Sequence, residues 1–261
     1  RLALAVELDD GSVRFHQDQH FQHRVEDRAE LGLRPRQLGG ALLDLAAKLD
    51  LRLLGEGDVG GGAPAVGVDG EHERLVAKGD ATVPTRHGDL QFYSGRGSAV
   101  ASAVNRFFED EPETLHYIDA VIGEGEILFD IGANAGLYSL YAARRGAVVY
   151  AFEPSAFNFS LLVDHIRLND LSGKIKPLCI AFSDSDGVAE LQMAEVTAGH
   201  ASNSIGEARN QHGAFTPAFK QTVLTFRLDS FCRQFSVMPE HIKLDVDGLE
   251  PLILSGGPDT L

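Results

Sequence analysis

The sequence predicts an α/β protein built on a doubly wound, Rossmann-like parallel sheet with helices on both faces. Short runs apolar on both faces ("EILFDI", "AVVYAF", "IKPLCIAF", "HIKLDV") alternate with amphipathic stretches, and a glycine-bearing turn, "DIGANAG", joins the first run to its helix. Strands buried on both faces and separated by helices are the pattern of a parallel sheet.

Each element has its own reason. In "EPETLHYIDAVI", Pro112 suits a first helical position and Leu115, Ile118 and Ile122 form one stripe, which predicts a helix leading into the core. "EILFDI" is the first strand. "LYSLYAARRG" follows as a helix with Arg144 and Arg145 in its last turn and Gly146 as its stop. After the strand "AVVYAF", Ser155 caps a helix whose Phe159, Leu162, Val163 and Ile166 recur at helical spacing. "IKPLCIAF" reads as a third strand and "HIKLDV" as a later one. Between them "GVAELQM" and "QTVLTFRL" alternate like an antiparallel pair, and the polar loop from Ala194 to Lys220 that joins them is the expected acceptor wall.

The chain divides unequally. Residues 1–79 are rich in Gly, Arg, Asp, Leu and His and carry only Phe15 and Phe21 as aromatics, too little for a core of their own. Within them, 41–54 fits a helix and the Gly-rich 55–73 reads as linker, so this part stays an unassigned, poorly ordered extension. Residues 80–261 hold the α/β pattern.

Composition excludes several functions. A formal net charge of -15 and a pI near 5.0 disfavour a partner bound through its phosphates, so nucleic acid is not expected. Cys179 and Cys232 form no metal-type spacing and read as two buried thiols in a reducing compartment. No His, Asp or Glu spacing points to a metal, and none is expected. No apolar run reaches the roughly 20 residues of a membrane span, and no basic-then-apolar leader opens the chain, so a soluble, cytoplasmic protein is expected. The first residue is Arg1 rather than Met, so the natural start is expected to lie upstream.

The turn "DIGANAG" carries the chemistry. In an open parallel sheet, ligands lie beyond the carboxyl ends of the strands, where a helix begins and free N–H groups point outward. Gly132 permits the tight turn and Gly136 a close approach. Glu153 ends the second strand, 17 residues after Gly136, where an acid accepts from ribose hydroxyls. Each residue alone reads as an ordinary turn glycine or solvated acid; their order along strand, turn, helix, strand and acid points to a nucleoside cofactor. The pattern is D-x-G-x-N-x-G, without the third glycine of a dinucleotide site. Asp130 in front of it suits the cationic sulfonium and ammonium of S-adenosylmethionine better than the pyrophosphate of NAD.

These pieces together, with "VVYAFEPSAFNFSLLVDHIRLN", "IAFSDSDGVAEL", "FRLDSF" and "IKLDVDGLEPLILSGG", resemble the FkbM family of S-adenosylmethionine-dependent methyltransferases over roughly Asp80 to Pro258. The resemblance implies a class I methyltransferase sheet. It places Asp130, Gly132, Asn134 and Gly136 around the methionine part of the cofactor, Glu153 on the ribose, and Ser183 and Asp184 at the adenine. Two departures stand out. Asp247 takes a place where the family commonly has Glu. The chain also ends at Leu261, just past the helix after "HIKLDV", where the family continues with a strand, a helix and an antiparallel pair. The sheet is therefore expected to be truncated after its fourth core strand, with an open edge.

For the acceptor side, "KLDVDGLE" offers Asp245 at the end of its strand and Glu250 at the next helix start as catalytic carboxylates, with a cofactor-positioning role and a dipole-favoured structural role as their respective rivals. Lys243 shares a strand face with Asp245. His200 lies in the polar loop as a solvated histidine at a candidate lid, and His165 and His241 read as structural. The expected reaction is methylation of a hydroxyl on a small molecule or glycan of the sugar or polyketide class. The alternatives are N-methylation, against which stands the absence of an Asn/Asp-Pro-Pro-aromatic motif, a non-catalytic nucleoside-binding fragment, and, more weakly, an NAD-dependent oxidoreductase.

Overall fold

The computed structural model describes residues 4–9, 12–16, 80–201, 203–210 and 213–261; the helix expected over 41–54 and the linker after it lie outside these. In chain order the strands and helices are β1 (Leu4–Asp9), β2 (Ser12–His16), β3 (Ala81–Val83), β4 (Leu90–Phe92), α1 (Ser98–Asn105), α2 (Pro112–Ala120), β5 (Ile127–Ile131), α3 (Leu137–Arg145), β6 (Val148–Phe152) and α4 (Ala156–Leu168). There follow β7 (Ile175–Leu178), β8 (Ala181–Phe182), β9 (Gly187–Met193), β10 (Ser204–Ile205), β11 (Arg209–Asn210), β12 (Gly213–Ala214), β13 (Phe219–Phe226), α5 (Leu228–Phe235), β14 (His241–Leu244) and α6 (Glu250–Ser255).

The main sheet runs β2-β1-β14-β5-β6-β7, with β14, β5, β6 and β7 mutually parallel. Strand order reverses at β5, so the crevice between the ends of β5 and β14 is where an open α/β sheet takes its ligand. Both faces are covered. One core joins Leu128, Val149, Ala151 and Ile175 of the sheet to residues of α1 through α4. The other sets Phe129, Ile131 and Phe152 against Phe231 of α5 and Ile253 of α6. The doubly wound class is therefore as the sequence predicts.

Local details follow from the residues. Pro112 starts α2, Leu115 and Ile118 are buried in its stripe, and Ile122 is buried just past its end. Gly146 ends α3 at φ 124°, a conformation that favours glycine. In α4 the face turns by a residue: Leu161, Leu162, His165 and Ile166 are buried, while Val163 is exposed. Asn158 and His165 occupy the buried arc because they have hydrogen-bonding work there.

Three further expectations change. The run 175–182 is not one strand. β7 holds Pro177 at the edge of the main sheet, where a missing N–H is tolerated, and β8 then pairs parallel with β13 in the sheet β10-β9-β13-β8. Cys179, in that break, is exposed, and only Cys232 is buried. The edge of β14 is not open: β1 pairs with it antiparallel, Leu4 opposite Leu244 and Glu7 opposite His241, and β2 pairs with β1. A central strand with free N–H and C=O groups invites such pairing, so the otherwise unassigned N-terminal stretch gives two strands to the sheet.

Among the described residues no helix is long and apolar enough to cross a membrane, and no group of three or more His, Cys, Asp or Glu is placed to hold a metal.

Candidate active site

The turns after β5, β6 and β14 open onto one cavity of about 560 Å³. Its floor is the turn that follows β5. Gly132 has φ 83°, and a Cβ there would fall on the carbonyl oxygen of Asp245. Any other residue would drive the β5 and β14 turns apart, so glycine is required. The N–H groups of Gly132 and Ala133 both donate to Phe152 O, at 3.0 Å, which ties this turn to the end of β6. Gly136 acts differently from the expectation. It does not line the cavity; at φ 86° its missing Cβ leaves room for Leu162 of α4, so it permits close helix packing.

Glu153 is almost fully buried yet lines the cavity. Asn134 N–H donates to its Oε2 at 2.8 Å and Ser155 N–H to its Oε1 at 2.8 Å, so the carboxylate is fixed in orientation by two backbone groups. Burial pushes its carboxyl up to about 7, against the pull of the N–H groups of Ser155 and Asn134 and the Asn158 amide.

Below the turn, Asp130 is buried at the end of β5. Ser139 Oγ donates to its Oδ2 at 2.5 Å, and Lys243 Nζ lies 3.3 Å from its Oδ1. Lys243, one strand over, is also buried; its ammonium stands 3.9 Å from Asp245 Oδ2 and 5.3 Å from the centre of the Tyr138 ring. Burial alone pulls a lysine down, but the carboxylates of Asp130, Asp245 and Glu111 outweigh it, and Lys243 is held above its ordinary range. Glu111, just before α2, completes this acidic bed: Thr114 Oγ1 donates to its Oε2 at 3.1 Å, and burial pushes its carboxyl up while Lys243 opposes.

A strap over the cavity, residues 197–201, is pinned to the cofactor side. Asn134 Nδ2 donates to Gly199 O at 3.1 Å, Gly199 N–H to Asn158 Oδ1 at 2.7 Å, and Asn158 Nδ2 to His200 O at 3.1 Å. Gly199 has φ 81° and packs so tightly on Val100 of α1 that a Cβ would overlap it.

The remaining sequence candidates fall elsewhere. Ser183 and Asp184 are not among the lining residues; Ser183 N–H donates to Phe226 O at 2.9 Å, and Ile180, Ala181 and Phe182 face the cavity instead. The step from β7 to β8 turns the chain into the second sheet before residue 183, which carries both polar side chains past the site. Glu250 does not line it either. Its Oε1 accepts from Val246 N–H at 3.1 Å, so it closes the turn at the start of α6. Asp245 and Asp247 do line it. His165 is a structural histidine: its Nδ1 lies 2.8 Å from Ala135 O and its Nε2 accepts from Tyr93 N–H at 3.0 Å. His241 bonds Tyr117 and Glu126 at the other end of β14. Glu111, Tyr138 and Asn158 are site residues the sequence reading missed. For Glu111 the signal was an acid directly before a helix-starting proline; for Asn158, a polar residue three places after a cap serine.

The arrangement suits S-adenosylmethionine on its own terms. Asn134, on the cavity wall, carries a buried Oδ1 acceptor without a hydrogen-bond partner, while Asp130 sits beneath the wall with its charge already met by Lys243 and Ser139. An ammonium donates to an acceptor like that of Asn134, a ribose diol donates to a carboxylate like Glu153, and Phe152, Ile180 and Phe182 offer an apolar wall to a base. Fold and site thus define a nucleoside-cofactor enzyme of the doubly wound class.

Comparison with known proteins narrows this. The methyltransferase FkbM domain matches residues 130–261, half of the chain, and the chain belongs to that family; its cofactor is S-adenosylmethionine. The methyltransferase sdnD of Sordaria araneosa is 28% identical over 184 residues, covering 60% of this chain and 71% of that protein. Among solved structures, PRMT6 is similar at 27% identity and TM-score 0.27, over 31% of this chain and 24% of that one. TYW2 of P. horikoshii, in complex with MeSAdo, is similar at 24% identity and TM-score 0.24, over 26% of each chain. The chain thus spans about a quarter of these two structures.

Proposed function

We propose that this methyltransferase acts on a hydroxyl of a small molecule or glycan, of the sugar or polyketide class. The supporting observation is the Lys243–Asp245 pair beside the cofactor cradle. A hydroxyl is donor and acceptor at once, so an adjacent carboxylate and ammonium can hold both its hydrogen and one lone pair. An attacking amine must keep its one lone pair free, and a fixed ammonium donor works against that.

When bound, S-adenosylmethionine supplies a methyl group already activated by its sulfonium. The protein's part is then to orient and to exclude water. Glu153 holds the ribose, Asn134 takes the methionine ammonium with the charge of Asp130 behind it, and Gly132 lets the backbone approach. Asp245 accepts from the reacting hydroxyl and aims its oxygen at the methyl group. Lys243 keeps that carboxylate in place and balances the buried charge of Asp130. The chain's charge of -15 favours neutral acceptors over phosphorylated ones and over nucleic acid.

The test is incubation with S-adenosylmethionine and a panel of neutral pyranosides, phenols and amines, with the methyl group located by mass spectrometry. Methylated oxygen is expected, and Asp245→Asn should lower kcat by about 100-fold with S-adenosylhomocysteine affinity kept. Methyl groups found on nitrogen alone would overturn the reading.

A further inference from the structure

The strap carries an imidazole that the mechanism so far leaves unused. His200 lines the cavity, and its Nδ1 is a buried atom with no hydrogen-bond partner. Its Nε2 lies 3.4 Å from Glu195 Oε2 on the same loop. Its backbone is held from both sides: N–H to Thr197 O at 3.2 Å, and O from Asn158 Nδ2 at 3.1 Å. A ring that keeps its proton on the nitrogen facing a carboxylate presents a bare lone pair on the other. Three residues on, Asn203 also lines the cavity with a buried, unpartnered Oδ1, and so does Asn134. Three lining residues therefore each carry an acceptor atom without a partner, an arrangement that suits a ligand carrying several hydroxyl donors. Asn134 belongs to the cofactor turn; His200 Nδ1 and Asn203 Oδ1 are left for the acceptor.

We propose that His200 is the general base of the transfer, oriented by Glu195, and that the acceptor is polyhydroxylated. This rests on the O-methylation reading above. His200 Nδ1 takes the hydroxyl proton as the acceptor's oxygen–methyl bond forms and the donor's sulfur–methyl bond breaks. The products are a methyl ether, S-adenosylhomocysteine and an imidazolium facing Glu195, which then releases its proton to water at the partly exposed strap. Because the reacting hydroxyl has one hydrogen and gives it to His200, Asp245 on this assignment accepts instead from a neighbouring hydroxyl of the acceptor and orients the ring from the floor. The two roles differ in kind: a carboxylate fixed by an ammonium aims the nucleophile, whereas an imidazole can carry the proton away.

His200→Asn separates these roles, because it keeps a polar atom near the Nδ1 place but cannot take up a proton. With S-adenosylmethionine and neutral methyl pyranosides, it should lower kcat by about 100-fold, and Glu195→Gln by about tenfold. S-adenosylhomocysteine affinity, read by calorimetry, should stay within about twofold in both, since neither group is assigned to the cofactor. A second readout needs no turnover. In the wild-type chain carrying isotope-labelled histidine and loaded with S-adenosylhomocysteine, the ring signal lost in His200→Asn should be that of an unprotonated Nδ1. It should move when a methyl pyranoside is added. Wild-type kcat in His200→Asn, or an Nδ1 that carries the proton in the neutral ring, would overturn the assignment. If the wild type binds S-adenosylhomocysteine but methylates no pyranoside while methylating an amine, the O-methylation reading itself fails. An active wild type with an equally active variant sinks His200 alone.

Discussion

A carboxyl as buried as Glu153 keeps its proton to about 7, because the charged form loses its water and two backbone N–H groups do not repay it in full. In the proposed ribose contact both hydroxyls donate, so the carboxylate must be ionised when the cofactor is bound. The sign follows. Below the free-state value a proton must leave on binding, and affinity falls by about tenfold per pH unit; above it, affinity is flat. Calorimetry with S-adenosylhomocysteine, from two units below that value to one unit above, should show the break, and Glu153→Gln should abolish both the slope and most of the affinity. A flat profile in the wild type would mean that Glu153 does not meet the ribose. Much of this residue-level picture was legible in the sequence. Gly132 and Glu153 could be put on the cavity because a strand's end and the turn after it fix where their residues point, whereas Asp130 sits beneath it. Gly136 was placed but misread, since what its Cβ would strike, Leu162, lies on another helix.

At the scale of elements, two amide side chains hold the strap, Asn134 of the cofactor turn with one bond and Asn158 of α4 with two. Asn158 Oδ1 accepts from Gly199 N–H and its Nδ2 donates to His200 O, and the same Nδ2 lies 3.5 Å from Glu153 Oε1. Cofactor exchange past a seated strap must break these bonds. Asn158→Ala should therefore speed S-adenosylhomocysteine dissociation by about tenfold, the equivalent of one lost net hydrogen bond of about 1.4 kcal/mol. Amide exchange over 197–201 should accelerate with it. An unchanged dissociation rate in stopped flow would show that the strap does not gate the cofactor. None of this could be read from the chain. The strands and helices announced themselves by their periods, but the strap is set by the pairing of β9 with β13, Phe219 opposite Met193 and Thr225 opposite Gly187. A helical stripe drawn for α4 puts Asn158 outside the apolar set, and its place three residues after the cap Ser155 marks the helix start without showing that its side chain reaches Gly199 and His200. The break between β7 and β8 was missed for the same reason: β8 leaves because β13 offers it a partner.

Among the described residues the main sheet rests on two unlike cores, one on each face, and the expected base pocket is walled by the one beneath α5 and α6. There Phe231 meets Phe235 at 4.7 Å between ring centres, Phe152 at 5.1 Å, Phe182 at 5.5 Å and Phe129 at 5.9 Å, mostly edge to face. Phe152 and Phe182 are also part of the cavity wall, so this aromatic stack transmits any loosening directly to the expected base pocket. Truncating a fully buried aromatic costs roughly 3–5 kcal/mol where the surroundings cannot collapse, and interlocked edge-to-face rings have little room to do so. Phe231→Ala should lose that much in urea unfolding and weaken S-adenosylhomocysteine as well. Phe92→Ala, on the opposite core and away from the cavity wall, should lose comparable stability and leave the affinity of the folded fraction nearly unchanged. Equal losses of affinity in the two variants would mean that the sheet relays strain through both faces alike, and that the floor of the site is not the property of one core.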